Sequence, residues 1–85
     1  MIARSARTLH DVSDLTLEEQ DLLILAVNHY RGVGPEATLD NLGFFTVDHA
    51  ASCIRTVLID RLLLLRCLDD LEATVAAIFR KFERA

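Results

Sequence analysis

The first sustained pattern of apolar positions begins just after Thr16. Leu22, Leu23, Ala26, Val27 and Tyr30 recur at steps of three and four, the spacing of one helix face. Ile24 and Leu25 widen that stripe, so the helix is expected to be central to the core. Its start is marked by Thr16-Leu17-Glu18-Glu19, a capping box in which hydroxyl and carboxylate satisfy each other's backbone N–H groups. Glu18, Glu19 and Asp21 place negative charge where the helix dipole favours it. The helix is predicted over 17–30, and Gly32, Gly34 and Pro35 end it. Pro35 suits the first position of a short helix over 35–42, with Gly43 as its stop. Ala37, Leu39 and Leu42 are expected to face inward, and Phe44 and Phe45 to plug the junction that follows. Residues 1–13 carry no periodicity and read as a loose arm, leaving 14–85 as one domain.

Thr46 is the next N-cap, and from Val47 to Ala85 there is neither glycine nor proline. Helix is predicted over 46–67 and 70–84, either continuous or broken near Asp69, where Asp69 and Glu72 form a weak second capping signal. One apolar stripe covers the first half: Val47, Ala51, Ile54, Leu58, Leu62 and Leu65. A longer one runs through Val47, Ala50, Ile54, Val57, Arg61, Leu64, Leu68, Leu71, Val75, Ile78 and Phe82 in alternating steps of three and four, which is a heptad seam whose part from Val57 on is the expected partner interface. Arg61 is its one polar member. It acts as a register device bridged to Asp60 or another acid, or the seam is interrupted there and Arg61 faces water.

Composition sharpens this picture. At 85 residues the chain holds one small domain, and 52% of it is apolar. A chain of this size folded alone buries only about 60–65% of its unfolded surface. The surplus predicts burial against a partner, either a second copy or another helical chain. The net charge is −4, with −6 concentrated in residues 11–40, so generic attraction to nucleic acid is disfavoured. Arginine outnumbers lysine eight to one. The longest apolar run, Leu22–Val27, is far below the ~20 residues of a membrane span. Cys53 and Cys67 would lie about 21 Å apart on one helix, beyond disulfide reach. They read as free thiols in a reducing compartment, and a cytoplasmic location is expected.

No catalytic grouping is recognisable in the pattern. Glycine-rich phosphate loops and elbow serines are missing, and His10, His29 and His49 match no ligand spacing. Asp48 and His49 are adjacent and point about 100° apart on a helix, so they cannot readily share a substrate. Asp69, Asp70 and Glu72 read as a solvated face or a helix start before a cation site. No cofactor and no enzymatic activity are expected.

The order of helix, turn, short helix, turn and longer helix is that of a helix-turn-helix unit. In such a unit Thr46, His49, Ser52 and Arg55 would face DNA, with Asp48 opposing phosphate, and Arg4 and Arg7 would form a minor-groove arm. The run Leu15-Thr16-x-x-Glu19, Leu25-Ala26, Tyr30-x-Gly32, Glu36-Ala37, Leu42-Gly43 and Leu58-Ile59-Asp60 resembles a small uncharacterised actinobacterial and phage family over residues 15–60. That family is usually regarded as helix-turn-helix, so the resemblance implies that fold; it assigns no functional residue. The expectation is an all-α domain of three or four helices whose long C-terminal helix forms a helical dimer or bundle. Its expected role is that of a non-catalytic interaction or regulatory module that self-associates through that helix. The alternative is a dimeric DNA-binding transcriptional regulator.

Overall fold

The computed structural model describes residues 7–30, 36–60 and 68–84. Three α-helices carry them: α1 (Leu17–His29), α2 (Val47–Asp60) and α3 (Leu68–Arg84). Two single-turn 3-10 helices, Leu9–Asp11 and Leu42–Phe44, precede α1 and α2. The protein is a small all-α domain with a long C-terminal helix, and no strand occurs among the described residues.

The start of α1 forms as its residues dictate. Thr16 Oγ accepts from the Glu19 backbone N–H at 3.1 Å, and the Glu19 carboxylate accepts from the Thr16 N–H at 2.8 Å. Leu23, Ala26 and Val27 are buried on the inner face. Helix α2 carries the hydroxyl half of such a cap, with the His49 N–H donating to Thr46 Oγ at 3.1 Å. Its inner face supplies Val47, Ala50, Ala51, Cys53, Ile54 and Val57 to the core. The apolar stripe of α3 adds Val75, Ile78 and Phe82.

Helix α3 packs antiparallel against α2. Phe82 and Glu83 line the same groove as Val47 and Asp48, while the Arg55 guanidinium lies 5.3 Å over the Phe79 ring, one turn back along α3. A single straight helix over 46–84 is therefore not what this chain forms. The seam expected to meet another chain is used at home: Val57 and Ile78 are fully buried, and Val75 and Phe82 nearly so, within one molecule. The reason is proximity. Once the chain reverses between α2 and α3, a neighbouring segment of the same chain offers an apolar surface without the entropy of association. Leu71 packs half-buried against this core. Arg61 and Leu64 lie outside the described residues, as do Cys67 and the side chains of Leu68 and Asp69.

Two charged contacts join the C-terminal half of α3 to the start of α1. Lys81 Nζ reaches the Glu19 carboxylate at 2.5 Å and the Asp14 carbonyl at 2.8 Å. Arg84 pairs with Asp14 at 2.9 Å. Glu19 is the one buried charged residue among those described. Lys81 and the Thr16 cap satisfy it from two sides.

Three local expectations need correction. The helix expected over 35–42 does not form across its described residues: 36–38 are irregular, 39–41 turn, and the 3-10 turn Leu42–Phe44 follows. Side chains compete here for the backbone groups that a helix would use. Asn28 grips Ala37 at both its N–H (2.6 Å) and its carbonyl (2.9 Å). Asn41 accepts from the Thr38 N–H and donates to the Glu36 carbonyl, both at 2.7 Å. Ala37 and Leu42 do face inward, but Leu39 is exposed.

The second correction concerns the arm. Within residues 1–13, the described part is fastened rather than loose: Thr8 bridges Thr46, Leu9 N–H donates to the Phe45 carbonyl, and Val47 N–H donates to that of Arg7. Burial of Leu9 and Val12 supplies the apolar drive for this docking. The third concerns Phe44. It plugs no junction, and Phe45 alone packs against the core.

Candidate interaction surface

The residues expected to face DNA divide between exposed and occupied. Ser52 and Arg55 lie exposed along α2, with Asp48 on the same stripe. The Arg55 charge rests on the Phe79 ring, a cation–π contact worth about 0.5–1 kcal/mol at an exposed site. Thr46 is taken up by capping α2 and by its bridge to Thr8. Arg7, expected in a minor-groove arm, donates to the Phe82 carbonyl at 2.8 Å and so closes the end of α3.

His49 belongs to an aromatic cluster instead of a free reading face. Its ring stacks on Phe45 with centroids 6.1 Å apart and meets Tyr30 edge-on at 5.8 Å. Its Nε2 lies 3.6 Å from Cys53 Sγ. That His–Cys pairing went unread in the sequence, although its signal was present: residues four apart on a helix share a face. Cys53 is fully buried, and burial pushes its thiol up from the ordinary value, away from the reactive thiolate. Among the described residues, no three histidine, cysteine or carboxylate side chains gather to hold a metal.

The more distinctive surface is made where the N-terminal arm meets the turn before α2. The 3-10 turns Leu9–Asp11 and Leu42–Phe44 pack on each other, with Leu9 and Leu42 buried beneath. The His10 ring lies directly over Gly43, so close that a Cβ at that position would overlap it. Glycine is therefore required there by close approach, unless the exposed His10 ring swings away. The other edge of His10 meets the Phe44 ring edge-on at 4.9 Å. An open groove of about 260 Å³ runs beside this contact, between Leu39 and Asp40 on one side and Ser13, Leu15 and Gln20 on the other. Leu39, which lines the groove, is 55% exposed, and Phe44, on the neighbouring 3-10 turn, is 71% exposed.

The sequence offered no direct sign of this face. It predicted Leu39 and Phe44 to be inside, because apolar residues beside a presumed helix default to the core. Only the Asn28 and Asn41 side-chain bonds, which replace that helix by a turn, send them outward. Comparison of the chain with protein-family models, with curated proteins and with solved structures finds no match.

Proposed function

We propose that this chain is a non-catalytic helical interaction module that docks a second chain on the face carrying Leu39 and Phe44. The observation that carries this reading is the presentation of two large apolar side chains on a turn that is itself fully tied down. Burying a side chain of this kind stabilises by about 1.5–3 kcal/mol. Holding two of them in water beside a groove forgoes that gain in the free domain and leaves it for a complex. Single exposed apolar residues are ordinary; here Leu39 lines a groove, and Phe44 stands on the adjoining 3-10 turn against His10, which lines the same groove. The closed His49–Cys53 pair fits a role without chemistry. Of the expected seam, Val57, Val75, Ile78 and Phe82 lie in the domain's own core, so the proposal places docking on this face instead.

The test is photo-crosslinking in the native host, with benzoyl-phenylalanine placed at Phe44 or, as a control, at Ser52 on α2. A discrete adduct from position 44 and none from position 52 is expected. An adduct of twice the chain's mass would identify a homodimer. Equal labelling from both positions, or none from either, would overturn the proposal. The exposure of Ser52 and Arg55 on one stripe of α2 supports the second reading, a DNA-binding helix. A mobility shift at low salt, where phosphate contacts are strongest, tests it, and the loss of that shift in Arg55→Ala would establish it over the first.

A further inference from the structure

We infer that α3 exchanges between two copies of this chain, so that a closed monomer and a domain-swapped dimer share one set of contacts. The place that α3 fills is taken either by the chain's own α3 or by that of a second copy. This exchange is independent of docking at Leu39 and Phe44.

Two observations carry it, and the first is where the contacts of α3 lead. Val75, Ile78 and Phe82 are buried in the core that α1 and α2 build. Lys81 reaches Glu19 and the Asp14 carbonyl, Arg84 reaches the Asp14 carboxylate, and the Phe82 carbonyl accepts from Arg7. The Phe79 ring lies under the Arg55 guanidinium. All of these polar and ring partners precede residue 61, so the α3 of a second copy satisfies each of them equally well.

The second is the amino-acid sequence that links α2 to α3. Residues 61–67 lie outside the described residues and read Arg61-Leu62-Leu63-Leu64-Leu65-Arg66-Cys67. Six of the seven are leucine or arginine, among the strongest helix formers, and none is glycine or proline. Local preference for helix here opposes the reversal that a hairpin needs, and joining α2 to α3 as one straight helix relieves that conflict. The register agrees. Arg55 and Phe79 have their midpoint at residue 67, and Val47 and Phe82, which line one groove, have theirs between 64 and 65. Two straight helices crossing antiparallel on a two-fold axis at 64–67 keep these pairings. The axis also sets the leucines of 61–67 against those of the other copy, an apolar contact between chains that the monomer lacks. At low concentration the closed monomer prevails, because a neighbouring segment binds without the entropy of association.

Charge-swap complementation of the full chain tests the exchange. Lys81→Glu and Glu19→Lys each set like charges against each other, in monomer and homodimer alike. Only a mixed exchanged dimer restores both ion pairs, each of them between chains. The two variants, one carrying a mass tag, are unfolded in urea and refolded at high protein concentration, separately or together. Mixed refolding is expected to give at least about tenfold more dimer, of mixed mass, than either variant alone, read by light scattering and native mass spectrometry. If a variant alone does not fold, helix content regained only in the mixture carries the same meaning. Wild type refolded in the same way is expected to form a dimer that Phe44→Ser leaves intact. Leu63→Pro should lower that dimer at least about tenfold, because proline breaks the joined helix.

A mixture with no more dimer or helix than its parts would overturn the inference. So would wild type that stays monomeric at every concentration, or a wild-type dimer indifferent to Leu63→Pro. A dimer dissolved by Phe44→Ser would overturn it too, and would place self-association on the docking face instead.

Discussion

Glu19 concentrates the electrostatics of the fold in one side chain. Burial by itself would raise its carboxyl above the ordinary value, but the Lys81 ammonium and the Thr16 cap outweigh that and hold it below the usual carboxylate range. A carboxyl whose folded value lies below its unfolded one binds fewer protons in the native state. Its stabilisation is therefore complete above the unfolded value, about 4.3, and is lost as pH falls through the folded one. Urea unfolding midpoints are expected to drop on acidification below about pH 4.5, and Glu19→Gln should remove much of that slope. A slope unchanged in Glu19→Gln would place the acid sensitivity elsewhere. The cap half of this arrangement was legible in Thr16-Leu17-Glu18-Glu19, because a capping box is a contact between residues three apart. The Lys81 half joins residues 62 apart in the chain, and no local pattern encodes it.

At the scale of elements, the three helices form where periodicity and capping agree, and the failures fall where side chains seize the backbone. Asn28, at the exposed end of α1, is the clearest case, since its side-chain amide both accepts from the Ala37 N–H and donates to the Ala37 carbonyl. Asn28→Ala should cost about 1–2 kcal/mol in global stability, because it leaves one donor and one acceptor without their partner. Its sharper signature is local: amide exchange should accelerate over Thr38–Leu42 while α2 and α3 keep their protection. Uniform acceleration throughout the chain would mean that this turn unfolds only with the whole. The same turn presents Leu39 and Phe44, so the mutation is also expected to weaken the proposed docking face without touching it.

At the scale of the molecule, part of the apolar surplus among the described residues is taken up by packing α3 back on α2. The heptad pattern marked Val75, Ile78 and Phe82, which are buried, and was read as a seam for another chain, whereas these three are already buried within one molecule. Ile78→Ala is expected to lower stability by about 2–4 kcal/mol, as cavity-forming changes in a packed core do. Its unfolding midpoint should not depend on protein concentration, since the cavity opens inside one chain. A midpoint that rises with concentration would instead put Ile78 at an interface between copies. Charge is also arranged at this scale. The α1 side and the turn before α2 are acidic, whereas Arg80, Lys81 and Arg84 cluster near the end of α3 and reach back to only two of the acids.

The amino-acid sequence by itself determined the helical class, the starts of α1 and α2, and the identity of most core residues. These rest on interactions between residues one to four positions apart, which periodicity and capping chemistry report directly. Tertiary structure alone decided that Val57, Val75, Ile78 and Phe82 are buried within their own chain, that the described part of the arm docks at Thr46, and that Leu39 and Phe44 face outward. Each of these depends on which distant segment comes to occupy a given surface. A linear pattern of apolar and polar residues records that a side chain avoids water, but not the neighbour that keeps it dry.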